Sequence, residues 1–241
     1  MTKNDKASEQ AKGNRRTRIA LLVPSSNTVM ENDLHNALPR EHFTVHTDRM
    51  FLVETTRHAE IRMIEDYASA AAKDLGTANP DLLVFGCTSA GSLFGLEYDA
   101  TTCRNLGKLA GCPAFGVVNS VSDALERINA RKIAVVTPYI DDLTQAVADA
   151  LKNGKREIVA AHGMGISVNV ELADPTPGDI VRFAKEKLEG VAFDTLFVSC
   201  TNFRSLEAKK ELEALFGVNV VTSNSAVIDA IIRRFVPASA N

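Results

Sequence analysis

The chain has 241 residues, 45% apolar and 24% charged, with 27 Lys and Arg against 30 Asp and Glu for a net charge of -3. That balance suits a globular protein built as one large domain or two small ones, and it excludes extensive disorder. It also lacks the basic excess on which nucleic-acid binders rely, and no apolar run reaches the ~20 residues needed to cross a bilayer.

Residues 1–16 are polar and lack the hydrophobic segment of a secretory signal, so a flexible tail on a cytoplasmic protein is expected. Strand-like runs then alternate with helical patterns. RIALLVP (18–24) precedes a helical pattern over 30–38, and the weaker strand EHFTVHTDRM (41–50) precedes one over 58–77. DLLVFG (81–86) leads to 98–110, and AFGVV (114–118) to 120–129, which Ser120 with Asp123 is expected to open. KIAVVTP (132–138) leads to 141–153, opened by Asp141-Asp142, and EIVAAHGMGI (157–166) to 177–189, opened by Pro177-Gly178-Asp179. DTLFVS (194–199) and VNVVTS (218–223) precede helices over 204–215 and 224–235. Near-continuous apolar strands alternating with amphipathic helices predict an α/β protein with parallel sheets covered on both faces.

The same signals occur twice. RIALLVPSSNT from Arg18 matches KIAVVTPYIDD from Lys132, DLLVFGCTSAG matches DTLFVSCTNF at Cys87 and Cys200, and the stretches around Asp123 and Asp229 match as well. Such order at offsets of about 110 residues predicts two α/β halves related by a pseudo-twofold axis, with the active site between them. The expected division is 17–123 and 124–241, with a link near 119–131 and a C-terminal helix able to pack back on the first half.

In open parallel sheets, ligands bind beyond the carboxyl ends of the strands, where both Cys87 and Cys200 fall. Thr88 and Ser89 follow the first, Thr201 and Asn202 the second, and with free backbone N–H groups these suit a carboxylate. Two opposed thiols can attack a carbon or move protons on either side of one bound molecule. PSSNT adds Ser25 and Asn27 as donors, TPYIDD places Tyr139 at the matching edge, and Asn169 is a further candidate. Cys103, in mid-helix, and Cys112, in a turn, have no counterpart and read as structural. No C-x-x-C pair or clustered histidines suggest a metal, and no P-loop or dinucleotide fingerprint is present, so no cofactor is expected.

These residues resemble the aspartate/glutamate racemase superfamily, and within it the branch of maleate cis–trans isomerases and arylmalonate decarboxylases. The resemblance covers roughly residues 17–236 and rests on PSSNT, VVTPYIDDLTQ and one cysteine in each half. It implies that Cys87 adds to the double bond of maleate to form a succinyl-cysteine, that Cys200 assists protonation and elimination to fumarate, and that Asn27, Tyr139 and Asn169 hold the carboxylates. The family's habit implies a homo-oligomer. The polar residues after each cysteine are closer to amino-acid racemases, while the Thr88-Ser89 pair is shared with the decarboxylases, which carry glycine at the position of Cys87. A cofactor-independent isomerase of a small dicarboxylate is therefore expected, with a racemase, a malonate-type decarboxylase and a non-catalytic small-acid binding protein as alternatives.

Overall fold

A computed structural model of the chain describes residues 15–236. The tail expected over 1–16 lies outside them up to residue 14, while Arg15 pairs with Asp81 at 2.6 Å. Among the described residues eight strands form two four-stranded sheets. The first holds β1 (Thr17–Pro24), β2 (Phe43–Met50), β3 (Leu82–Phe85) and β4 (Ala114–Gly116) in the order β2-β1-β3-β4. The second holds β5 (Lys132–Tyr139), β6 (Glu157–Ile166), β7 (Thr195–Val198) and β8 (Asn219–Thr222) in the order β6-β5-β7-β8. Every ladder is parallel. The repeated sequence signals are thus a repeated topology, and the α/β architecture with two similar halves is borne out.

The helices are α1 (Met30–Ala37), α2 (Arg57–Met63), α3 (Ser69–Gly76), α4 (Thr88–Ser92), α5 (Leu96–Ala110), α6 (Val117–Arg127), α7 (Asp141–Leu151), α8 (Pro177–Lys187), α9 (Ser205–Phe216) and α10 (Ser223–Phe235). Successive side chains of a strand face opposite ways, so Ile19, Leu21 and Val23 enter one core while Ala20 and Leu22 enter another. Burial of both faces is why β1 reads as an unbroken apolar run. The core holding Ile19, Leu21 and Val23 continues through Val121 to Val135, Leu143 and Phe197, so it runs through both halves.

Local signals set several helix starts. Thr176 and Asp179 form a reciprocal capping box on α8 with Pro177 at its first position, and Asp141 and Asp142 occupy the first turn of α7. Ser120 and Asp123 do not open a helix as expected. The strand ends at Gly116 and α6 begins at Val117, with the Ser120 hydroxyl donating to the Gly116 carbonyl at 2.8 Å inside the first turn. Most of the 119–131 stretch is therefore helix, and the expected boundary at 123/124 falls within α6. The pattern expected as one helix over 58–77 is split, with a π-helical turn at Ile64–Ala68 between α2 and α3. Helix α10 packs against α6 and against α1 of the first half. Among the described residues no helix is long and apolar enough to cross a membrane.

A close approach in the second sheet bears on the site. Gly163 of β6 lies against the Tyr139 carbonyl and the Thr144 hydroxyl, and a Cβ there would collide with both. Gly163→Ala is expected to cost about 1–3 kcal/mol by urea denaturation and to lower activity by displacing Tyr139.

Candidate active site

Cys87 follows β3 by two residues and caps α4 in extended conformation. Cys200 follows β7 by two residues but sits in a turn with φ of 105°. A positive φ is costly for a residue with a Cβ, so the surrounding bonds must hold it. The Cys200 N–H donates to the Ser223 hydroxyl at 3.0 Å, and the Asn202 N–H donates to its sulfur at 3.2 Å. Ser223 also accepts from the Thr88 hydroxyl at 2.9 Å, so the two cysteine turns are joined through one oxygen.

Each cysteine is 3% exposed and Tyr139 is 1% exposed. Burial, then the Glu60 carboxyl, pushes the Cys87 thiol well up, opposed by a hydrogen bond from the Ala90 N–H and by the contact with the Ser89 hydroxyl; Cys200 pushes it up further. Burial pushes Cys200 up to about 12, opposed by hydrogen bonds from the Tyr139 hydroxyl and the Asn202 N–H. The two thiols and Tyr139 are thus brought to one site, as neutral groups that sense one another electrostatically.

The polar residues of the two motifs are close by and form a lattice between the halves. The Asn27 amide donates to the Thr201 hydroxyl at 3.1 Å, and its oxygen accepts from the Val29 and Met30 N–H groups at 3.1 and 3.0 Å. Asn202 accepts from the Thr28 N–H at 2.8 Å and donates to the Asn169 carbonyl at 2.7 Å. Thr201 donates to the Gly86 carbonyl at 3.1 Å. Asn169 accepts from Thr55 at 3.0 Å and donates to Ser26 at 2.7 Å. Ser25 both accepts from the Leu52 N–H, at 3.0 Å, and donates to the Leu52 carbonyl, at 3.3 Å. The 51–55 segment then crosses to the second half, where the Thr55 N–H donates to Ser167 and the Asn169 N–H to Val53, at 2.6 and 2.8 Å. Asn202→Leu would strand the Thr28 N–H and the Asn169 carbonyl, so a loss of about 2–4 kcal/mol is expected in denaturant titrations.

Three residues escaped the reading of the sequence. Ser223 opens α10 after β8 and resembles any helix-start serine. Asn224 donates to Asp33 at 2.7 Å and to the Thr201 carbonyl at 3.2 Å. Glu60, on α2, is fully buried and accepts from the Ser89 hydroxyl. Burial raises its carboxyl from 4.5 to about 8, with Ser89 and Arg57 lowering it and Asp142 raising it.

Relatives share this architecture along nearly the whole chain. The maleate isomerases of Pseudomonas putida and Geobacillus stearothermophilus are 28% and 25% identical, each alignment covering 90% of both chains. A mutant of the Nocardia farcinica maleate cis–trans isomerase, solved with a covalently bound succinylcysteine intermediate, superposes with a TM-score of 0.83 at 22% identity, over 91% of this chain and 92% of that one. The family described as arylmalonate decarboxylase matches residues 19–240, which takes in both sheets and both cysteine turns, and the chain belongs to that family.

Proposed function

We propose that the protein is a maleate cis–trans isomerase that works through its two thiols. The observation that carries this reading is the presence of both cysteines at one buried site, their turns joined through the Ser223 hydroxyl, with the Asn202 N–H directed at Cys200 and Tyr139 beside it. The Cys87 thiolate attacks one alkene carbon of maleate, forming a C–S bond. The π electron pair moves to the neighbouring carbon, where it takes the proton of the Cys200 thiol. The former double bond is now single and rotates. Cys200 then removes the proton, and the C–S bond breaks to release fumarate and the Cys87 thiolate. The reaction asks for a nucleophile and a proton carrier, and the two thiols supply both.

Tyr139 stabilises the negative sulfur left when Cys200 gives up its proton. Tyr139→Phe is expected to lower kcat by about 10²-fold, with KM changing far less. A side chain that only packed would leave kcat intact in steady-state assays.

Decarboxylation needs one proton donor, and Cys87 would have no part in it. The polar residues after each cysteine do not favour a racemase, because Thr88, Thr201 and Asn202 are engaged in holding the halves together. Proton NMR of the reduced protein in D₂O with maleate tests the assignment. Growth of the fumarate signal supports it; exchange of an amino acid's α-proton without fumarate would replace it with a racemase.

A further inference from the structure

Glu60 is a carboxyl without exposed surface, and among the described residues no cation pairs with it. Arg57, one turn earlier on α2, donates instead to the Leu93 carbonyl at 3.1 Å and lies 3.5 Å from Asp142. The Glu60 Oε1 accepts the Ser89 hydroxyl, and its Oε2 is buried with no partner. The Ser89 oxygen is also 3.8 Å from the Cys87 sulfur. Thiol, hydroxyl and carboxyl are therefore connected through the Ser89 oxygen. A glutamine would serve Ser89 equally well as an acceptor and would spare the cost of burying an ionisable acid. Packing alone does not account for a glutamate here.

We propose that Glu60 is the proton acceptor for Cys87, acting through Ser89. The thiol proton passes to the Ser89 oxygen as the Ser89 hydroxyl proton passes to Oε1 of Glu60. Cys87 becomes a thiolate, Glu60 a neutral acid, and Ser89 is unchanged. The sulfur electron pair then forms the C–S bond, and the reverse transfer follows its cleavage. One negative charge is moved and none is created, so Glu60 and Cys87 are never ionised together. This inference deepens the isomerase reading and rests on Cys87 being its nucleophile.

The charged and titratable groups facing Glu60 are Cys87, Cys200, Tyr139, Arg57 and Asp142. Burial keeps both thiols and the phenol protonated well above neutrality, so Glu60 ionises first, at about 8. Below that pH the thiolate fraction of Cys87 climbs about tenfold per unit. Above it the site holds one charge shared in fixed proportion between Glu60 and Cys87, and the thiolate fraction levels off.

The test is the rate of iodoacetamide labelling at Cys87, resolved from the other cysteines by peptide mass spectrometry, on the reduced full chain between about pH 6 and pH 10. The wild type is expected to level off near pH 8, whereas Glu60→Gln continues upward and labels at least ~10-fold faster than wild type at the top of the range. Ser89→Ala, which removes the hydrogen bond that favours the Glu60 anion, moves the levelling point upward. Parallel wild-type and Glu60→Gln profiles, or a Ser89→Ala profile that breaks at the wild-type pH, overturn the relay. If Glu60→Gln does not fold, the wild-type curve decides, because an unbroken climb is incompatible with the proposal. Labelling needs no substrate. A levelling curve from a protein that leaves maleate untouched would retain the relay and discard maleate.

Discussion

Cys87→Ser is expected to lower maleate turnover by about 10³-fold or more, because a serine hydroxyl in the same place has neither the acidity nor the nucleophilicity of a thiol. Cys200→Ser should lose a comparable factor for a different reason. Its Cys87 can still add to the double bond, and solvent protonates the carbanion slowly, but the later C–H bond lacks a competent base, so the adduct is trapped. Intact-mass spectrometry separates the two. The Cys200→Ser chain incubated with maleate should gain the mass of one maleic acid at Cys87, and the Cys87→Ser chain should gain nothing. Circular dichroism should show both variants folded, since each exchange keeps a small side chain in a buried turn. Full activity in both variants would end the two-thiol mechanism. Unchanged ligand affinity in a chain with no turnover would point to a binding protein.

Glu60→Gln is expected to make the fold more stable at alkaline pH. The folded carboxyl titrates at about 8 against 4.5 unperturbed, mainly through burial. Between those values the native state keeps a proton that the unfolded chain has released, so wild-type stability falls as pH rises through the window. The contribution is fully present below about 4.5 and lost above about 8. At ~1.4 kcal/mol per unit the difference between variant and wild type should grow to roughly 3–5 kcal/mol. Asp33 and Asp99, both raised to about 6 by burial, impose the same trend on both proteins and cancel in the comparison. Urea denaturation at about pH 5, 7 and 9 would show it. Stability curves that stay parallel would mean that Glu60 is solvated or paired in solution. The same substitution is expected to remove the levelling of Cys87 reactivity, so more stability and a changed pH response should come together.

What was legible in the residues is what depends on local periodicity and repetition. The strands of a doubly covered parallel sheet have to be apolar on both faces, so RIALLVP and KIAVVTP announce themselves. Cys87 and Cys200 were legible because equivalent positions in two copies of one topology coincide in their spacing from a strand end, which neither cysteine would reveal alone. The start of α6 was misplaced because Ser120 bonds backward to Gly116 within the helix, a contact with the same sequence signature as a cap.

The sequence by itself determined the α/β alternation, the duplication, the pair of strand-end thiols and Tyr139 at the matching edge. Tertiary structure decided the rest. Asn27, Thr201 and Asn202 could have been free donors on two rims; bringing the halves together pairs Asn27 with Thr201, Thr201 with the Gly86 carbonyl and Asn202 with Thr28. Glu60 in HAEIRMIEDYA reads as a solvated position on an amphipathic helix. It becomes a buried acid beside Ser89 only because α2 packs over α4. The physical reason is range: periodicity and capping act within a few residues, whereas desolvation and charge coupling depend on which surfaces meet. The state of a titratable group is set by neighbours distant along the chain, as Ser89 and Asp142 are from Glu60.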